Sequence, residues 1–302
     1  MKRKTLLLLA LVVSPMTSAL ASLTADSIHL LEDVVVRERV LRREVLPVQT
    51  LSGAQLQRLS SVSVADALRY FAGVQIKDYG GVGGLKTVNV RGMGSQHVGV
   101  FYDGIQLGNA QNGQIDLGRF SLDNMEAVSI YNGQKSALLQ PARHYASASA
   151  LYLTARRPAL DFAGDHRLKT SLRLGSFSTI NPSVLWEHQL SSRLSYSLSG
   201  EYLYTSGRYR FRYKKRDGYD TVSIRHNGDV RALRLEGGLW GKLQHGSWKG
   251  KLYFYDSERG YPGAAVREVP GAFRHEDRQW DRNFFAQASL QESRGIYSYL
   301  VQ

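Results

Sequence analysis

The chain has 302 residues, no cysteine and a formal charge of +13, from 39 Lys and Arg against 26 Asp and Glu. That length suggests one or two domains, and the lack of cysteine excludes a disulfide framework, a thiolate site and a lipid-modified cysteine. The cations are dispersed between strand residues rather than gathered on a helix, which argues against nucleic acid and favours an anionic membrane surface or plain solubility. The first segment opens with Lys2-Arg3-Lys4, continues as an apolar run from Leu6 to Val13 and reaches Ala19-Leu20-Ala21. It reads as a secretory signal peptide cut after Ala21, because its apolar run is far shorter than the ~20 residues a membrane helix needs. Beyond residue 22 no apolar run approaches that length, so any insertion into a bilayer is expected as a barrel.

Residues 22–46 form a polar extension holding Leu31-Glu32-Asp33-Val34-Val35-Val36-Arg37. Its three consecutive β-branched residues favour an extended backbone that could add to a sheet edge. From Pro47 two short helical patterns follow, Ala54 to Leu59 capped by Ser52 and Ala65 to Phe71 capped by Ser63, with Gly73 as the stop. Glycines then crowd between Tyr79 and Gly84, without the Lys-Ser/Thr or helix of a phosphate loop. Strand-like runs come next, at Thr87 to Val90, His97 to Tyr102 and Ala127 to Tyr131. They close at Arg91-Gly92, Asp103-Gly104 and Asn132-Gly133, and together read as a small mixed sheet. A closing strand is expected at Ala150 to Ala155. No nucleophile and base, carboxylate pair or metal-ligand spacing is present, and the eight histidines are scattered. The expectation is therefore no enzyme, no cofactor and no metal.

From Asp161 the texture changes to strict period-two alternation. Leu194, Tyr196, Leu198, Gly200, Tyr202 and Tyr204 share one face, and Ser195, Ser197, Ser199 and Glu201 the other. Such two-faced segments of ~10 residues are the pattern of outer-membrane barrel strands. Seven are expected, at 167–176, 182–190, 193–204, 229–243, 247–256, 280–291 and 295–302. Tight turns alternate with long connections at 205–228 and 257–279, as in barrels with short periplasmic turns and longer outer loops. Leu198, Tyr202, Leu235, Leu239 and Phe284 should face lipid, and Ser197, Glu201, Arg234 and Glu236 the lumen. In the first long connection Arg208, Arg210 and Arg212 alternate with Tyr209, Phe211 and Tyr213. That arm reads as a solvated hairpin touching anionic lipid rather than as a ligand site.

Four motifs stand in order between Lys86 and Gly133: VNVRG, VGVFYDG, Ile115-Asp116-Leu117 and the Glu-Xaa-Val-Xaa-Ile strand from Glu126 to Ile130. This segment resembles the plug domain of TonB-dependent outer-membrane receptors. The resemblance implies an α+β plug domain followed by antiparallel transmembrane β-barrel strands. The expected divisions are a signal peptide at 1–21, an N-terminal extension at 22–46, a plug at 47–160 and about seven barrel strands at 161–302. It also implies a TonB box at Asp33, Val34, Val35, Val36 and Arg37, with Arg91, Gly92, Asp103, Gly104 and Glu126 as plug motif residues. Tyr79, Gly81, Gly83, Ser95, Gln96, His97, Asn109, Gln111 and Asn112 would lie on plug loops facing the substrate. Family resemblance would assign Arg91 and a second arginine to salt bridges between plug and barrel. Here Asn132-Gly133-Gln134 replaces the Arg-Gly-Pro step, so only Arg91 remains.

A barrel wide enough for a plug has about 22 strands, so seven strands suggest the N-terminal part of a longer receptor, with the barrel incomplete. The implied function is TonB-dependent import across the outer membrane of a scarce nutrient, of the cobalamin or iron-chelate and haem class. The alternatives are a β-type surface binding or adhesion protein, or a non-functional truncated fragment. The implied partners are TonB, the nutrient, outer-membrane lipid and a surface lipoprotein, with no nucleic acid.

Overall fold

The computed structural model describes residues 48–59, 61, 63–108, 113–135, 139–158, 162–214, 220–262 and 276–302. The first half of this range runs β1 (Val48–Ser52), α1 (Ala54–Arg58), α2 (Val64–Ala67), β2 (Val74–Asp78), β3 (Lys86–Val90), β4 (Val98–Tyr102), β5 (Ile105–Gln106), β6 (Met125–Tyr131) and β7 (Ser149–Ala155). The main sheet has the order β1-β6-β7-β4-β5. It is mixed, because β4 runs parallel to β7 from Val98↔Ser149 to Tyr102↔Leu153 while the other pairs are antiparallel. The expected mixed sheet is thus present, but the run from Thr87 to Val90 does not belong to it. Instead β3 pairs with β2 in a separate ribbon, from Val74↔Val90 to Asp78↔Lys86. The Arg91 N–H closes that ribbon on the Gly73 carbonyl at 2.8 Å, and Arg91 and Gly92, at φ 52° and 76°, then turn the chain away.

The helical patterns shorten for local reasons. The cap of α1 is Gly53, at φ 48°, rather than Ser52. Ser63 does stand before α2, but its hydroxyl donates to the Asp66 carboxylate at 2.8 Å instead of capping an N–H. After Ala67 the helix tightens into a 3-10 turn, Leu68–Tyr70, which ends at the extended Phe71 rather than at Gly73, whose φ of 72° turns the chain two residues later. Val64, Leu68, Val128, Leu151 and Leu153 are fully buried in one core, to which the second half of the chain contributes Leu203, Ala232, Tyr253 and Tyr255.

The second half is an antiparallel meander of β8 (His166–Gly175), β9 (Thr179–Ser191), β10 (Leu194–Thr205), β13 (Val230–Lys242), β14 (Gly246–Gly260), β15 (Arg278–Arg294) and β16 (Tyr297–Val301), seven strands in sequence order in one sheet. The expected number is met; β9, β14 and β15 run longer than the alternation suggested, and β13 and β16 shorter. β9 begins three residues before Pro182, the expected start of that strand. Proline lacks an N–H for the ladder, and the register between β9 and β10 skips from Ser183 to Ile180. The Asn181 side chain fills the gap, donating to the Tyr202 carbonyl at 3.0 Å. The long connection at 205–228 holds a ribbon of its own, β11 (Arg210–Lys214) with β12 (Asp220–Ile224). Exposure separates the two faces of the wall as expected. Leu198, Leu235, Leu239 and Phe284 are 50, 45, 47 and 68% exposed, while Ser197, Glu201, Arg234 and Glu236 are 2, 4, 4 and 6% exposed. Trp280, 69% exposed, stands toward the long connections, where membrane barrels carry an aromatic girdle.

Candidate functional site

The inward face of the wall meets the plug through named charges. Arg234 donates to Glu201 at 2.6 Å and to the Gly118 carbonyl of the plug at 2.8 Å, and Asn181 adds a bond to the same Glu201 oxygen at 2.9 Å. Glu236 receives the Tyr102 hydroxyl and the Asn124 amide, both at 2.7 Å, and lies 3.2 Å from the Lys251 ammonium. Farther along, Arg173 grips Asp123 through two nitrogens at 2.9 and 2.6 Å, and Ser183 donates to the same carboxylate at 2.7 Å. Arg156 pairs with Glu187 at 3.1 Å. An aromatic cluster fills the space between these charges: Tyr253 stacks on Phe285 at 4.7 Å, and Phe120 and Tyr102 pack beside them. Each of these charges therefore has an opposite charge beside it, which buried ions require.

Two plug groups register this environment. Burial alone would raise the Asp123 carboxyl, but the hydrogen bonds from Arg173 and Ser183 outweigh it and hold the group below the ordinary carboxylate value. Burial, then the charges of Glu236 and Asp103, push the Tyr102 hydroxyl well above the usual phenol range. Tyr102 consequently remains a hydrogen-bond donor at neutral pH.

The Asp103-Gly104 turn is more than a turn signal. Asp103 sits at φ 51°, accepts the Ala155 N–H at 3.0 Å through its carboxylate, and offers its carbonyl to Lys249 at 2.6 Å. Lys251 lies 3.6 Å from the same carboxylate and 3.5 Å over the Tyr102 ring. The turn thus anchors the plug to β14. Gly104 accepts a bond from Gln302 at 3.4 Å. Glu126 is exposed at a bulge between Met125 and Ala127, and its carbonyl receives the Gly53 N–H. Arg91 is exposed and forms no ion pair among the described residues. On the described strands, the cations that fasten plug to wall come mainly from the wall, as Arg173, Arg234, Lys249 and Lys251. Alternation placed Arg234 on the inner face, but the period says only that a charge faces inward, and its plug partner is set by the fold.

The glycine loop lies at the end of the wall where the long connections arise. Asp78 ties it by accepting the Gly80 and Gly81 N–H groups at 3.2 and 2.8 Å. Gly83, at φ 71°, presses so closely on Val230 that a Cβ there would stand 2.5 Å from a methyl carbon. Only glycine fits that contact. Tyr79 is exposed beside it. Ser95, Gln96 and His97 form a 3-10 turn, preceded by Gly94, whose N–H bonds the Asn89 side chain at 2.8 Å. That turn makes no hydrogen bond to the described wall. Asn109, Gln111 and Asn112 lie outside the described residues, as do Asp33, Val34, Val35, Val36, Arg37 and the signal peptide.

The family described as TonB-dependent Receptor Plug Domain matches residues 41–143. Among solved structures, the copper transporter OprC is similar over 82% of this chain and 34% of its own, at 15% identity and a TM-score of 0.56. The ferric enterobactin receptor PfeA of Pseudomonas aeruginosa is similar over 85% of this chain and 40% of its own, at 16% identity and a TM-score of 0.56. The ferric yersiniabactin uptake receptor FyuA of Yersinia pestis is similar over 82% and 38%, at 13% identity and a TM-score of 0.56. The chain spans about a third to two fifths of the length of these structures. Residues 41–143 thus match the plug domain of TonB-dependent receptors, and this plug sits on the inward face of an antiparallel, lipid-patterned sheet whose fold is similar to the barrel strands of these receptors.

Proposed function

We propose that the chain serves energised import of a small nutrient across the outer membrane, with the plug closing the lumen and TonB acting on the segment from Asp33 to Arg37. The observation that carries this reading is the seat between plug and wall. It is polar, ion-paired and buried, while the opposite face of the same strands is apolar and exposed. A seat whose hydrogen bonds and ion pairs surround an aromatic cluster suits a part that must later shift, because water entering the lumen can replace those bonds. The nutrient class proposed is a metal chelate or metal-bearing cofactor of the iron-chelate, haem or cobalamin kind. The copper and ferric-chelate receptors of similar fold favour the metal-bearing part of that range. Export through the N-terminal signal segment and contact with outer-membrane lipid belong to the same reading, as does a surface lipoprotein as partner.

The test is uptake of a radiolabelled ferric chelate by energised cells carrying the chain within its receptor. Val35→Pro should abolish uptake while leaving surface binding intact, because proline removes a strand-pairing N–H and fixes φ. Val35→Thr should be nearly silent. Uptake at the normal rate in the proline variant would remove this segment from the mechanism.

A further inference from the structure

Arg259 is a buried cation with no opposite charge beside it among the described residues. Arg259 lies on the inward face of β14, 7% exposed, where the strand passes the glycine loop. One of its terminal nitrogens is 3.3 Å from the place a Cβ on Gly80 would occupy. Its Nε and Nη2 donate to the Gln279 side-chain Oε1 at 3.0 and 2.6 Å, and Nη2 also donates to the Tyr261 hydroxyl at 2.9 Å. The Tyr261 ring is 4.7 Å from the guanidinium carbon. All these partners are neutral.

The acids around it are engaged elsewhere. Asp229 and Glu258 each pair with Arg278 at 2.8 Å, and Glu258 also with Arg231. Asp281 receives the Gln279 amide at 2.6 Å and stands 3.7 Å from Arg119. Among the described residues Arg259 forms no ion pair. A desolvated guanidinium held only by neutral groups lacks the compensation that buried charge ordinarily needs, and its planar fork is shaped for an oxyanion. The adjoining loop is bare backbone at Gly80, Gly81, Gly83 and Gly84, with Tyr79 exposed at its shoulder. A ligand can therefore approach closely there.

We infer that Arg259 is a specificity-determining residue that recognises an oxyanion of the nutrient, so that the site selects carboxylate- or phosphate-bearing ligands over neutral ones. The inference rests on the import reading for its purpose, but the binding itself does not require energised transport. Calorimetric titration of the purified full chain in detergent uses citrate and inorganic phosphate as probes, with the neutral triamide of citrate as control. At low salt one or both anions should bind and the triamide should not. Arg259→Gln should weaken anion binding about tenfold or more, the loss expected for one charge-assisted hydrogen-bonded pair. Arg259→Lys should keep part of it, and the exposed Arg210→Gln should leave it unchanged. The comparison of citrate with its triamide needs no variant, so a poorly folding Arg259→Gln protein does not spare the proposal. Equal affinity for citrate and triamide, undiminished binding in Arg259→Gln, or equal loss in Arg210→Gln would overturn it. Anion binding that persists where energised uptake fails upholds the site and removes only the import reading.

Discussion

In the plug, β7 buries six of its seven side chains, most of them apolar, and β3 buries Val88 and Val90 together with Lys86, Thr87 and Asn89. In the wall, β13 buries Arg234 and Glu236 and exposes Leu235 and Leu239. The two sheets share one pleat, yet burial sorts their residues in opposite ways. The plug follows the ordinary rule of apolar residues inward. The wall inverts it, because its outward side is patterned for hydrocarbon and its inward side seats a polar partner. Alternation alone therefore does not say which face is covered; the chemistry of each face does.

The largest test of this contrast is to break the buried pair. Arg234→Met leaves Glu201 without its cation, with a side chain only 2% exposed, and should cost about 3–5 kcal/mol. The double variant Arg234→Met with Glu201→Leu should recover most of that loss. Urea unfolding of the refolded protein measures both, and equal loss in single and double variants would mean that the charge is not confined.

Next in size is the outward face. Leu239→Arg should cost about 2–4 kcal/mol near the bilayer midplane, whereas Leu243→Arg, close to a tight turn, should cost about 0–1 kcal/mol. Refolding into vesicles reads the difference, and equal costs would remove the depth dependence on which the membrane assignment stands.

Acid sharpens the comparison from the plug side. The folded Asp123 carboxyl lies below its ordinary value of 3.8, so the stabilisation from Arg173 is complete above that pH and is lost as pH falls through the lower folded value. Asp123→Asn should remove this acid dependence and cost on the order of 1 kcal/mol at neutral pH. A pH series of unfolding midpoints checks it. The smallest effect belongs to the pair of Arg212 and Asp220 on the outer ribbon, bidentate but open to solvent. Screening and side-chain entropy offset such pairs, so Arg212→Gln should leave the midpoint unchanged, and a clear shift would point to a covered ribbon.

The wall was legible in the sequence because a two-residue period is imposed residue by residue. Glu201, Arg234, Leu198 and Leu239 all took their faces from it. The plug's motifs were legible as turns and runs, but not their partners. Thr87 to Val90 read as one more strand of the mixed sheet and instead pairs with β2, since pairing between strands is decided by packing rather than by local propensity. Asp103 read as a hairpin corner, and nothing local reveals that Lys249, 146 residues later, closes on its carbonyl. The glycine loop was visible as composition, while the buried Arg259 beside it required the fold.

The reach of the Tyr102 contacts has a consequence for how the chain assembles. Its hydroxyl bonds Glu236 across 134 residues and its carbonyl bonds Gln287 across 185. Closing segments of that length costs chain entropy before any bond repays it, so such contacts form late. The ribbon of β2 and β3 and the wall's tight hairpins are local and come earlier. Seating of the plug is therefore a final folding step that waits for β15, and until then Lys251 has only part of its opposing charge. A variant that slows formation of β15 should accumulate a species with a formed plug core and an unseated turn at Asp103, detectable as a slow phase in refolding.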